Sequence, residues 1–284
     1  MNPRKGPGVA ETIGTHDGMF SAGDAYERFM GGWSRALAPL FVTFAGVRDG
    51  AAILDVGSGT GALAAAVRAV APSSHVIGID PAAAYIAFAQ ARHPGDSVRF
   101  EVGDARQLRF PDGSFDRTLS LLVLTFIPDP AKALDEMIRV TRPGGTVAAA
   151  VWDYGDGMKM LRVFWDEAIA HNPALDARDE RHMPLCRKGE LAALWRDRGL
   201  EDVSEDSLTI QTRFASFDDY WSRFLEKQGP AGAYVASLAA GERDQLRLRL
   251  RTRLCGEGPD RPILLAARAW AVRGVVPGRA ASVG

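Results

Sequence analysis

Ala51-Ala-Ile-Leu-Asp-Val-Gly-Ser-Gly-Thr-Gly61 is the stretch whose reading decides the fold of this chain. Its first half is a short apolar run of the length of a buried strand. Its second half places three glycines at alternate positions, which lets the backbone turn tightly and approach a ligand closely. Ala62 to Ala71 is Ala-rich and helical, and Pro72 stops it. A strand, a glycine turn and a helix N-terminus together form a cradle of unpaired N–H groups with partial positive charge. By itself this string fits a dinucleotide loop equally well.

Working outward, the alternation continues. His75 to Asp80 reads as a second buried strand and Pro81 to Ala91 as a helix with Pro in its first turn. Val98 to Val102 is a third strand and Phe115 to Leu122 a fourth. Pro130 to Thr141 is a helix with Ala133, Leu134, Met137 and Ile138 on one face. Arg142-Pro-Gly-Gly145 stops that helix, and Thr146 to Trp152 is a fifth strand. Five strands alternating with helices predict an α/β layered domain with a parallel sheet and right-handed crossovers.

The flanks read differently. Residues 24–47 carry Tyr26, Phe29, Met30 and Trp33 at helical spacing, interrupted by Gly31-Gly32. Met158 to Ala170 and Glu190 to Arg198 read as helices around a polar stretch, Asn172 to Arg187. Ser204 to Arg213 alternates as a strand. Phe217 to Lys227 reads as an aromatic-rich helix, and Gly229-Pro230 as a break. In 242–254, leucines alternate with arginines, which suits a strand; Leu246, Leu250 and Leu254 also lie on one helical stripe, and helix is favoured. Pro262 to Val272 is a final strand.

Three successive strands end in acids. Asp55 precedes the glycine turn, Asp80 ends the second strand 19 residues after Gly61, and Asp104-Ala105 follows the third. All belong at the C-terminal edge of the sheet, where open α/β folds bind ligands. A carboxylate at Asp80 can accept both hydroxyls of a ribose. Asp104 with the Ala105 N–H can read an adenine edge, which an NAD-binding reading leaves unexplained.

Ile53-Leu-Asp-Val-Gly-Ser-Gly-Thr-Gly61, Gly78-Ile-Asp80, Gly103-Asp104-Ala105, Phe115-Asp116 and Arg142-Pro-Gly-Gly145 resemble the ordered motifs of class I S-adenosylmethionine-dependent methyltransferases. The nearest subgroup is the type 11 methyltransferases, similar to ubiquinone/menaquinone-biosynthesis enzymes. Tyr26 to Arg35 also resembles that subgroup's N-terminal helix. The resemblance implies a Rossmann-like seven-stranded α/β sheet of order 3-2-1-4-5-7-6, with the last strand antiparallel and helical lid insertions. It implies S-adenosylmethionine as cofactor. Gly57, Ser58, Gly59 and Gly61 form the cofactor loop, with Gly57 and Gly59 against the methionine moiety and Asp55 orienting the loop. Asp80 holds the ribose, Pro81 packs on the adenine, and Asp104 and Ala105 read its edge. Leu121 offers its carbonyl to the amino group, with Leu122 and Phe126 near the methyl donor. Tyr26 and Arg35 close over the cofactor. For Tyr26, Met30 and Trp33, cofactor contact and simple helix packing stand side by side.

The expected organisation is an N-terminal arm at 1–18 and one domain at 19–284. Its core comprises 51–153, 204–213 and 262–272, and its helical lid 19–46, 154–200 and 214–260. A net charge of −1 argues against a coat for nucleic acid or anionic membrane. No apolar run approaches the roughly 20 residues of a membrane span. Cys186 and Cys255 lack metal spacing and read as free thiols of a cytoplasmic protein, and no metal is expected. Methyl transfer from a sulfonium is an in-line displacement, so a general base is optional. The fourth strand ends Leu121-Leu-Val-Leu-Thr-Phe126, without the Asn/Asp-Pro-Pro-Tyr of amino-group methylation of bases or Gln. His171, His182 and Asp153 are weak base candidates, and no catalytic residue is assigned. The expected function is methyl transfer to a small, partly apolar molecule. A silent cofactor-binding regulatory protein and, less favoured, an NAD-dependent oxidoreductase are the rivals.

Overall fold

The computed structural model describes residues 32–278 except Asp96 and Gln228, and only the backbone of Ala177. The expected arm at 1–18, and Tyr26 and Met30 with it, lie outside the described residues. The first described helix, α1 (Gly32–Phe44), turns Leu37, Ala38, Phe41 and Val42 inward. Then come β1 (Ala52–Val56), α2 (Ala62–Val70), β2 (His75–Asp80), α3 (Ala83–Arg92), β3 (Val98–Val102), β4 (Phe115–Leu121), α4 (Pro130–Val140) and β5 (Thr141–Trp152). The second half holds α5 (Lys159–His171), α6 (Glu190–Asp197), β6 (Glu201–Phe214), α7 (Phe217–Leu225), α8 (Gly229–Ser237), α9 (Ala240–Cys255) and β7 (Ile263–Val275).

The seven strands make one sheet in the order β3-β2-β1-β4-β5-β7-β6. β1 to β5 pair in parallel, while β7 runs antiparallel to both β5 and β6. This is the expected Rossmann-like architecture. Alternating side chains feed two cores, as the period of a strand requires. Ile53 of β1 and Ala148, Ala150 and Trp152 of β5 join the core shared with α1, α2, α5 and α7 to α9. Leu54, Val56, Val147, Ala149 and Val151 join the core covered by α4 and α6. Trp195 of α6 anchors that second face by donating its indole N–H to the Val147 carbonyl at 3.0 Å.

Several expected boundaries change. β5 begins at Thr141 rather than Thr146, because Arg142-Pro-Gly-Gly145 is absorbed into the strand. A register shift between Phe115 and Arg117 takes up the extra residues, and Val276 donates to the Gly145 carbonyl. The late strands reach 201–214 and 263–275, longer than 204–213 and 262–272. Gly229-Pro230 opens α8 rather than merely breaking the chain; proline fits a helix's first turn because its missing N–H has no partner there anyway. The polar stretch 172–187 holds two 3₁₀ turns capped by Asn172 and Asp179. The ambiguous 242–254 segment is helical, as favoured.

Candidate cofactor site

The glycine turn leaves β1 and crosses to β2, where the Gly57 and Ser58 N–H groups both donate to the Ile79 carbonyl at 2.8 and 2.9 Å. Gly57, Gly59 and Gly61 all have positive φ, at 75°, 51° and 89°. Each does a different job. A Cβ on Gly57 would fall 2.5 Å from Val123, and one on Gly61 would fall 2.9 Å from the His93 ring. Around Gly59 there is open space, with nothing within 4 Å of a built Cβ. Gly59 is therefore where the backbone can take a ligand, while its neighbours are glycine for packing.

Asp80 ties the turn to the next strand end. Its two oxygens accept the Gly59 N–H at 3.0 Å and the Ala82 N–H at 2.9 Å. A carboxylate offers about four acceptor positions, so two remain for a ligand. Burial raises its pKa, and the two backbone bonds oppose that rise. Asp55 lies wholly inside, and among the described residues neither of its oxygens has a hydrogen-bond partner. Burial, aided by repulsion from Asp80, pushes its pKa up to about 8. Asp104 differs again. It is half-exposed and gripped by Arg106 through the backbone N–H at 2.8 Å and the guanidinium at 2.7 and 3.0 Å. That pairing holds its carboxyl below the usual range.

These groups line one cavity of about 560 Å³, within the range of small-molecule sites. Asp55, Gly57, Ser58, Gly59, Asp80, Pro81, Asp104, Ala105, Leu121, Leu122 and Phe126 all face it. Gly61 does not; its place is against His93 and Phe100. Arg35 is exposed and does not line the cavity, whereas its neighbour Ser34 does. Trp33 meets Trp152 and Phe214 edge-on, at centroid distances of 6.4 and 6.2 Å, which favours helix packing for that residue. Sequence reasoning missed Tyr85, Arg106, Val123 and Ile127 in the lining. Val123 had a signal of a kind, since a turn glycine with no room for Cβ implies a close neighbour. Leu122 sits at φ 66°, a left-handed conformation unusual for a branched side chain, and is pinned by its N–H on the Ala150 carbonyl at 2.7 Å.

The base candidates are not brought to this cavity. Asp153 is buried in a pair with Arg268 at 2.6 Å. His182 is exposed beside Asp176 at 3.2 Å, and His171 ends α5 in solvent. No cluster of metal-ligating side chains is found among the described residues.

The donor set fits S-adenosylmethionine. The orphaned Asp55 carboxyl and Ser58 hydroxyl are polar groups whose burial is costly until something bonds them, and they lie beside open backbone at Gly59. Asp80 retains acceptors for hydroxyls, and Asp104 and Ala105 line the same cavity at the end of β3.

Comparison with known proteins agrees. The profile of the family described as "Methyltransferase domain" matches residues 54–149. An uncharacterised protein of Mycobacterium tuberculosis is 33% identical over 257 residues, covering 86% of this chain and 89% of that one. The 2-methyl-6-phytyl-1,4-hydroquinone methyltransferase of Synechocystis is 34% identical over 183 residues, covering 63% of this chain and 56% of its own length. Phosphoethanolamine N-methyltransferase 2 of Haemonchus contortus, solved with S-adenosyl-L-methionine, shares the fold. Its TM-score is 0.57 at 20% identity, over 98% of this chain and 62% of that chain. The glycine turn, the ladder of acids, the sheet order and these likenesses converge: the chain belongs to the class I S-adenosylmethionine-dependent methyltransferases, related to those of ubiquinone and menaquinone biosynthesis.

Proposed function

We propose that this enzyme transfers the S-adenosylmethionine methyl group to a small, partly apolar molecule. The observation that carries this reading is the division of the cavity. Its acids and glycines gather at the ends of β1 to β3, and Leu121, Leu122, Val123, Phe126 and Ile127 form an apolar end. The cofactor's polar parts match the first region, and the acceptor meets the second. The relatives named for acting on a phytyl-hydroquinone and in ubiquinone/menaquinone biosynthesis point to the same kind of acceptor.

The bound cofactor supplies an already activated methyl group. The chain's own residues supply alignment and a dry wall. Asp80 and the glycine turn fix the donor's position, Asp104 and Ala105 its adenine, and the apolar end excludes water from the line of transfer. Among the described lining residues the titratable side chains are Asp55, Asp80, Asp104, Arg106 and Tyr85. Such a set favours an acceptor that is nucleophilic without a strong base. We place α5 and α7 to α9 in a helical lid on a single domain; their aromatic cluster of Phe164, Trp165, Tyr220, Phe224 and Tyr234 packs as one unit with the sheet, which supports this. No described helix is long and apolar enough to cross a membrane. The buried, unpaired thiols of Cys186 and Cys255 support a reducing, cytoplasmic setting.

The test is transfer of labelled methyl over a panel of hydroquinones, phenols and hydrophilic amines. Turnover is expected with the apolar acceptors. Turnover confined to hydrophilic amines would overturn the acceptor class.

A further inference from the structure

A second cavity, of about 290 Å³, lies at the opposite edge of the sheet from the cofactor site. Its walls come from the loop after α1, the start of β4, Thr146 of β5 and the joined ends of β6 and β7. Three arginines line it: Arg48, Arg117 and Arg273. The carboxylate in the lining is Asp202, at φ 49° and exposed. Among the described residues none of the three arginines has a carboxylate within ion-pair distance. The nearby Arg142 is already matched with Asp116, at 2.7 Å.

Two of the guanidiniums are held in place by neutral acceptors. Arg117 donates to the Ala45 carbonyl at 3.0 Å and to the Thr146 hydroxyl at 2.7 Å. Arg273 donates to the Phe44 carbonyl at 2.9 Å and the Ser204 hydroxyl at 3.1 Å. Convergent like charges are unfavourable, and half-buried Arg117 shows it. Burial and the neighbouring Arg48 and Arg273 lower its pKa, against an opposing pull from Asp116. Fixed arginines converging on a cavity without paired acids form a preorganised anion site, since planar guanidinium forks match phosphate oxygens.

We propose that this cavity binds a small phosphate monoester. Three guanidiniums against one carboxylate leave two positive charges, the number a phosphate monoester dianion neutralises. A bare phosphate takes the space of roughly two or three waters, about 60–90 Å³, well under the cavity, so room remains for the organic part. The inference does not depend on the methyl acceptor or on the cofactor site.

Calorimetric titration of the whole chain with glycerol phosphate, inorganic phosphate and pyrophosphate tests it. Glycerol phosphate is expected to bind saturably and more tightly than inorganic phosphate. Arg48→Ala and Arg273→Gln should each weaken it about tenfold or more, the loss of one charge-assisted hydrogen bond. Asp202→Asn should tighten it, and S-adenosylhomocysteine affinity should not change in any of the three. Arg273 also ties β7 to α1, so if that variant unfolds, exposed Arg48 decides. Absence of glycerol phosphate binding at millimolar concentration, or binding indifferent to Arg48→Ala, would overturn the site. Equal affinity for glycerol phosphate and inorganic phosphate would overturn the ester.

Discussion

Asp55 is the buried, unpartnered acid in the lining of the proposed cofactor cavity. A buried carboxyl without partners keeps its proton, and here the pKa rises to about 8 from an ordinary 3.8. The consequence for stability has a definite sign. Below about pH 4 the folded and unfolded chains both hold the proton. Between about 4 and 8 the unfolded chain has released it and the folded chain has not, so this residue makes stability fall as pH rises through that window. Above 8 the effect is constant. Asp55→Asn should therefore stabilise the cofactor-free protein at pH 8, by on the order of a few kcal/mol, while changing little at pH 4. Thermal unfolding of both proteins across this range checks it. Burial raises the pKa of Asp80 as well, but its oxygens accept the Gly59 and Ala82 N–H groups, which oppose that rise. Asp80→Ala removes the ligand's acceptor and frees the loop, and should weaken S-adenosylmethionine binding by about a hundredfold. An unchanged isotherm would remove Asp80 from the site. At Gly57 the cost is in folding. Alanine there meets a φ of 75° and a Val123 methyl at 2.5 Å. Gly57→Ala should destabilise the chain by about 2–4 kcal/mol, read by urea denaturation.

The element that best separates pattern from packing is α9. Its leucines alternate with arginines, so the sequence admits both a strand and a helix. A strand would place Leu246, Leu248 and Leu250 on one face. The helix buries Leu246 and Leu250 and leaves Leu248 63% exposed. Leu250→Ala should therefore cost about 2–5 kcal/mol, and Leu248→Ala less than about 0.5 kcal/mol. Equal losses would contradict the helix. The same comparison shows what local sequence can carry. β1 to β4 and their helices were legible because short apolar runs, glycine turns and prolines punctuate them. The start of β5 was not, since Arg142-Pro-Gly-Gly145 has the composition of a turn and is held as strand by pairing partners distant in sequence. The first turn of α8 was hidden for the same reason: Gly229-Pro230 looks like a stop and serves as a start.

At the scale of the whole molecule, the sheet places its acids and a cluster of arginines at different edges. Its C-terminal edge gathers Asp55, Asp80 and Asp104, and its opposite edge gathers Arg48, Arg117 and Arg273. The net charge of −1 conceals this division. The acid ladder could be read from sequence, because each acid follows directly on a strand end. The arginine cluster could not, because its members come from elements far apart in the chain, and Arg273 joins the other two only through the antiparallel return of β7. The cavity proposed for the cofactor spans the ends of β1 to β4, so occupying it would link elements that must separate when the chain unfolds. S-adenosylhomocysteine at a hundredfold excess over its dissociation constant should add about 2.7 kcal/mol of stability. In a chain of this length that corresponds to a rise in Tm of roughly 4–5 °C. The rise should all but vanish in Asp80→Ala at the same concentration, because a hundredfold weaker ligand is then only at its dissociation constant. It should persist undiminished in Arg48→Ala, whose side chain lies at the other edge. A ligand-induced shift retained in Asp80→Ala would place the cofactor elsewhere than at the ends of these strands.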